Sequence, residues 1–198
     1  MAKYTGYVTL PTGSYSEWKA ATNGNGFDFD YPNGYGCQCY DLAVEFWHNL
    51  GFPAGYPIIT SSSAYTMWEN RLANSILNGQ RMFELITNIN DIKEGDVIVF
   101  NYFSGNPYGH VGFADVDYSS WTPDPLFPFE FPILSQNNGG IPDPDGGAYT
   151  NVHGYDIRLF LGAFRYVGWV TEPSIMTRKP TRTTFPWVLY ARKLRNKR

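Results

Sequence analysis

Tyr35-Gly36-Cys37-Gln38-Cys39-Tyr40-Asp41-Leu42 is the stretch on which the reading of this chain turns. It closes a glycine-rich, acidic loop and opens an apolar-periodic segment. Ala43, Phe46, Trp47 and Leu50 recur at helical spacing, and Gly51 and Pro53 end the run, so the pattern predicts a helix over 40–50. A thiol at such a junction meets unpaired amide N–H groups and the positive end of the helix dipole, both of which favour thiolate. Cys39 is therefore the candidate nucleophile. Cys37 lies one step farther from the helix and reads as a packing residue.

Upstream, residues 14–21 suit a short helix with Ser14 as its cap and Glu17 three places on. Asn23-Gly24-Asn25-Gly26 then breaks the chain. Asp28-Phe29-Asp30-Tyr31-Pro32-Asn33-Gly34 crowds carboxylates that repel unless solvated or bridged by a cation, and Asp41 lies close enough to add a third. An oxygen-rich set of this kind suits calcium, but the spacing is not that of an EF-hand. From the residues alone, an exposed acidic turn is the favoured reading.

Downstream, Met67, Trp68, Leu72 and Leu77 predict a second helix over 64–77. The remainder reads as short strands. A turn over 91–96 feeds Val97-Ile98-Val99-Phe100, and a loop over 102–108 leads to Gly109-His110-Val111-Gly112-Phe113-Ala114, with a histidine at the strand mouth. Phe131-Pro132-Ile133-Leu134-Ser135-Gln136-Asn137 follows, then a Gly/Asp/Asn-rich surface excursion over 138–154, including a turn at Asp143-Pro144-Asp145-Gly146-Gly147. Closing strands fall within 157–170. Helices followed by a meandering antiparallel sheet make an α+β arrangement. Cysteine hydrolases need a thiol, an imidazole and a polar side chain that orients the imidazole, and here the chain order is Cys39, His110, Asn137. His48 and His153 read as structural or exposed.

The totals bound these readings. A chain of 198 residues suits one domain with a core, and 18% aromatic residues suit an aromatic-lined groove of the kind that holds sugars or peptides. Trp68, Tyr102, Tyr108 and Trp121 are candidates for such a groove. Two cysteines one residue apart and three scattered histidines match neither a disulfide framework nor a zinc site, so a free thiol and synthesis in a reducing compartment are expected. The N-terminus lacks the apolar run of a signal peptide, and no stretch approaches the roughly 20 apolar residues of a membrane span. Residues 171–198 carry eight Lys/Arg and one acidic residue, against seven and seventeen in residues 1–170. That basic tail suits polyanions, or simply solvates the terminus.

Gly36-Cys37-Gln38-Cys39-Tyr40-Asp41-Leu42, Gly95-Asp96-Val97-Ile98-Val99-Phe100, Tyr108-Gly109-His110-Val111-Gly112 and Leu134-Ser135-Gln136-Asn137 together resemble the CHAP domain. These are the cysteine- and histidine-dependent amidohydrolase/peptidase modules of phage lysins and bacterial cell-wall enzymes, related to NlpC/P60. The resemblance spans roughly residues 14–170. It implies a papain-like α+β fold, with N-terminal helices packed on a mainly antiparallel sheet, as a catalytic domain over 1–170 followed by a basic extension over 171–198. It maps the nucleophile onto Cys39, the base onto His110 and the orienting residue onto Asn137. Gln38 stands at the family's glutamine position, as a candidate oxyanion donor beside the Cys39 amide. Many lysin members have a glutamate where this chain has Ser135. Phage members that bind calcium do so through an Asp-x-Asp loop and the acid two places after the cysteine, here Asp28, Asp30 and Asp41, and with the resemblance calcium becomes the favoured reading of the loop.

The function implied is phage-type hydrolysis of amide bonds in peptidoglycan, as an N-acetylmuramoyl-L-alanine amidase or an endopeptidase. The protein would be phage-encoded, made in the host cytoplasm without a signal peptide, and would act at the wall as an endolysin or be carried in the virion. The rival reading is a tail or virion component with a CHAP fold and little activity, and an intracellular thiol peptidase is less favoured. Expected partners are peptidoglycan and, through the basic tail, anionic wall polymers, membrane or phage tail proteins; nucleic acid is not expected.

Overall fold

The computed structural model describes residues 1–32 and 34–169. The basic extension over 171–198, with the partners expected of it, lies outside the described residues, as does the boundary expected at 170. In chain order the elements are β1 (Lys3–Tyr4), α1 (Tyr15–Thr22), β2 (Gly26–Phe27), α2 (Cys39–Asn49), α3 (Thr66–Glu69), α4 (Arg71–Asn74), β3 (Ile76–Leu77), β4 (Gln80–Arg81), β5 (Phe83–Ile86), β6 (Val97–Phe100), β7 (His110–Ala114), β8 (Glu130–Ser135), β9 (Asn151–Asp156) and β10 (Phe160–Tyr166). The α+β fold is as expected, with helices from the N-terminal half packed on a six-stranded sheet. The strand order is β5-β10-β6-β7-β8-β9, and every neighbouring pair is antiparallel.

The apolar stripe of α2 packs on one face of this sheet. Leu42, Phe46 and Trp47 are buried there with Val97, Val99, Val111 and Phe113. Trp47 stacks on Phe83 at 4.4 Å, and Phe46 meets Phe113 edge-on at 5.0 Å, contacts worth about 1 kcal/mol each beyond their buried area. Ile98, Phe100, Ile133 and Ala163 form a second cluster on the opposite face. With both faces covered, β6 is a continuous apolar run rather than an alternating one. At the turn before it, Asp96 is buried and takes Nε and Nη2 of Arg165 at 2.9 and 2.8 Å, which ties β6 to β10.

Of three local expectations, one holds and two meet a different outcome. Ser14 does cap α1, its Oγ accepting from the Glu17 N–H at 3.3 Å. The helix expected over 64–77, however, is two single turns and a hairpin. Buried Asn74 donates to the carbonyls of Ile58 and Met67, and its own carbonyl accepts from the Trp47 indole at 2.8 Å, so the chain bends there to satisfy the 57–58 backbone. Asn78 and Gly79, with φ of 51° and 80°, then make the tight turn between β3 and β4. Finally, the surface excursion expected to run to 154 ends earlier. β9 pairs with β8 over six residues, with Val152 and Tyr155 packed against the core from its two faces.

Candidate active site

Cys39 is the first residue of α2, and His110 is the first of β7, the strand on which α2 packs. Both line one open cavity of about 660 Å³, together with Gln38, Asn106, Tyr108 and Asn137. The main-chain N–H groups of Val111, next in the chain after the histidine, of Tyr40 and of Cys39 itself favour the Cys39 thiolate.

His110 Nε2 lies 3.0 Å from Ser135 Oγ at the end of β8. The nitrogen left for the thiol is therefore Nδ1. Gly112 makes this approach possible, because a Cβ there would come within 2.9 Å of the Ser135 Cβ. The Tyr155 ring stacks on the imidazole at 4.4 Å and 14°.

Asn137, the residue expected to orient His110, is engaged elsewhere. Continued in register, the β7–β8 ladder would set Asn137 opposite His110, but β8 stops at Ser135 and Asn137 takes φ of +54°. Its Nδ2 donates to Gln38 Oε1 at 2.6 Å, while Gln38 Nε2 donates to the Tyr35 carbonyl at 2.6 Å. The Gln38 carboxamide is thus pinned beside the thiol. Buried Gln136 staples the same segment from behind. Its Nε2 donates to the Gln38 and Phe27 carbonyls at 2.7 and 3.1 Å, and its Oε1 accepts from the Phe27 N–H at 2.6 Å.

The electrostatics differ from the expectation of a resting thiolate. Burial pushes the Cys39 thiol up to about 12, with Asp41 adding to the rise, and this outweighs the three N–H groups that pull it down. Burial, followed by the nearby His153, pushes His110 down to about 3. Both shifts favour a neutral thiol and a neutral imidazole at rest. Cys37 is fully buried, as expected of a packing residue, and burial raises its thiol as well.

The three acidic candidates sit on the flank of this cavity. Asp30 and Asp41 line it, and Asp41 accepts the Gln38 N–H at 2.9 Å. Burial carries the Asp41 carboxyl up to about 7, and the charges of Asp30 and Asp28 add to the shift. Asp30 is raised by its own desolvation and by Asp28. Asp28 is buried and ion-paired at 2.8 Å with Lys3, which also holds Asp143 at 2.9 Å and Asp145 at 2.5 Å. Asp28, Asp143 and Asp145 are the three acids among the described residues whose oxygens lie within 4.8 Å of one another. The loop read as an outlying turn at 143–147 therefore wraps the segment that leads into Cys39. Asp143 Oδ2 accepts the Cys37 N–H at 3.2 Å, and a Cβ on Gly147 would stand 2.1 Å from the Cys37 carbonyl oxygen.

Residues 26–121 match the family model of the CHAP domain. The chain carries a CHAP domain. It is 32% identical over 144 residues to a D-alanyl-L-alanine endopeptidase of Streptococcus phage B30, across 70% of this chain and 27% of that protein, so it spans about a quarter of the relative's length. The crystal structure of a wild type endolysin, LysIME-EF1, has the same fold with a TM-score of 0.53 and 23% identity, over 79% of this chain and 63% of that one.

Within this CHAP domain the structure brings Cys39, His110, Gln38 and Asn137 to one cavity. It adds Ser135, Gln136, Tyr155 and Asp143 to their surroundings. Of the aromatic groove candidates, Tyr108 lines the cavity, whereas Trp68 packs edge-on to Phe164 and Trp121 packs on Phe131. Tyr102 is exposed and lies against Tyr65. Among the described residues no helix is long and apolar enough to cross a membrane.

Proposed function

We propose that this CHAP domain is a peptidoglycan hydrolase that cleaves a cross-linking peptide bond, as a D-alanyl-L-alanine endopeptidase acting at the bacterial wall in the service of a phage. One observation carries the hydrolase reading: Cys39 and His110 face a single open cavity, with oriented amide donors beside the thiol. The phage B30 relative supports the choice of bond.

In this reading the Cys39 thiol transfers its proton to His110 Nδ1 as the sulfur attacks the scissile carbonyl. A neutral resting pair fits transfer concerted with attack. The Cys39 amide and the Gln38 Nε2–H not used by Tyr35 receive the developing oxyanion. The imidazolium returns its proton to the leaving amine, and a water deprotonated by the same imidazole hydrolyses the thioester. Ser135 holds the ring through Nε2, taking the place expected of Asn137. Asn137 holds the oxyanion donor instead.

The acidic loop fits a calcium ion. Asp28 Oδ1 is buried without a hydrogen-bond donor while its Oδ2 is held by Lys3, and burial, followed by the neighbouring acids, holds Asp30 and Asp41 above the ordinary carboxylate range. Asp30 and Asp41, with Asp28 in competition with Lys3, would hold the ion. Bound there, it would neutralise and order the loop that precedes Cys39.

Zymography on cell-wall substrate, wild type against Cys39→Ala, tests the reading. A cleared band lost in the variant is expected. No band from folded wild type, with and without calcium, would overturn it in favour of a virion structural part.

A further inference from the structure

The wall behind His110 separates the catalytic cavity from a second one. Its volume is about 560 Å³, and its lining includes Phe103, Phe127, Phe129, Asn138 and Tyr155. The two cavities share their partition. Tyr155 stacks on His110 and also lines the second cavity. The loop before β7 places Asn106 and Tyr108 in the catalytic cavity and Phe103 in the other, pinched by reciprocal main-chain bonds between Phe103 and Asn106. The neighbours Asn137 and Asn138 divide in the same way.

Two features of this second cavity are unexplained by the fold. Phe103, Leu126, Phe127 and Phe129 are 45%, 81%, 54% and 44% exposed, a cluster of apolar surface on two adjoining loops. Asn138 is 9% exposed, and its Nδ2 is buried without a hydrogen-bond acceptor. A buried amide donor left unpaired is costly, and a ligand carbonyl would satisfy it. The charges of the lining also select. Glu130 and Asp156 contribute carboxylates, and the Arg158 guanidinium is committed to Asp156 at 2.9 and 2.6 Å while lying over Phe129 at 3.9 Å. Apart from His153, the lining residues offer no cation left unpaired for the carboxylates of a stem peptide.

We infer that this cavity is a subsite for the glycan strand of the wall polymer, taking an N-acetylated amino sugar with its ring face on Phe127 and Phe129 and its acetamido oxygen on Asn138 Nδ2. The inference rests on the hydrolase reading for its choice of polymer. Aromatic faces accept the apolar face of a sugar ring, and the unpaired amide donor matches the carbonyl that distinguishes an N-acetylhexosamine from a plain hexose. The glycan is neutral, whereas the stem peptide carries carboxylates. A strand seated here would hold the polymer beside the catalytic cavity, so that a cross-link enters from an anchored chain.

The test uses the full chain carrying Cys39→Ala, titrated calorimetrically with a peptide-free N-acetylglucosamine hexamer and with a glucose hexamer. Binding of the first is expected, with the second about tenfold weaker for want of the acetamido group. Phe127→Ala, at an exposed position that leaves the core untouched, is expected to weaken the N-acetylated oligomer about tenfold. Asn138→Leu is expected to erase the preference between the two sugars. Absence of binding, or binding indifferent to Phe127→Ala, overturns the subsite, as does a free stem peptide that competes with the sugar. Parallel digestion of peptidoglycan by wild type separates the two readings. Products without sugar binding sink the subsite alone, whereas sugar binding without products sinks the hydrolase reading and leaves the subsite standing.

Discussion

Ser135 Oγ lies 3.0 Å from His110 Nε2, at the point where β8 ends and the backbone turns away. That contact fixes which imidazole nitrogen faces the thiol. Removing it by Ser135→Ala is expected to lower kcat about tenfold, the worth of one neutral hydrogen bond, with KM little changed. Ser135→Thr keeps the hydroxyl and should restore most of the rate. A silent Ser135→Ala variant would contradict the assignment.

Asn137 and Gln38 form a second unit. If Gln38 Nε2 receives the oxyanion, Gln38→Ala is expected to cost about 100-fold or more in kcat. Asn137→Ala loosens the same carboxamide and should cost about tenfold. The double variant should then be no worse than Gln38→Ala, because Asn137 acts through Gln38. Additive losses in steady-state kinetics would return Asn137 to a role of its own.

Gln136 offers a stability test. It satisfies the Phe27 N–H and two carbonyls in a buried setting, so Gln136→Ala leaves those groups unpaired. A loss of about 2–3 kcal/mol is expected by urea unfolding. A loss below 0.5 kcal/mol, roughly the scale of a neutral surface change, would show that the staple contributes little.

Asp41 gives a pH dependence of definite sign. Its carboxyl is raised to about 7 in the fold, against about 3.9 in an unfolded chain. Between those values the folded chain holds a proton that the unfolded chain has lost, so this group's contribution to stability falls as pH rises from about 4 to 7. Asp41→Asn, whose amide oxygen still accepts the Gln38 N–H, removes that loss. In chelator its melting temperature is expected to gain on wild type by about 10 °C across the window. Calcium should narrow the gap at pH 7 by stabilising the wild-type carboxylate. A difference that stays flat with pH would contradict the shift.

Much of this was legible in the residues. The helical period after Cys39, its Gly51 stop and the unbroken Val97–Phe100 run need only local pattern, and α2 and β6 lie where that pattern puts them. The Asn78-Gly79 hairpin carried a local signal as well, but apolar spacing over 64–77 masked it. What pattern cannot carry is long-range satisfaction. Asn74 bends the chain because residues 57–58 need partners, and Asn137 leaves His110 because β8 ends two residues early. Lys3, near the N-terminus, meets Asp28, Asp143 and Asp145 only through the fold. The thiol's displacement follows likewise from burial, which outweighs the helix terminus that the sequence displays.

The most direct test of the central claim is mass spectrometry of purified peptidoglycan digested by wild type and by Cys39→Ala. The account predicts new D-alanine carboxyl ends and L-alanine amino ends with wild type, glycan strands still bearing their stems, and neither product with the variant. Stems released whole from the glycan would make the enzyme an amidase, and identical digests from the two proteins would remove Cys39 from the chemistry.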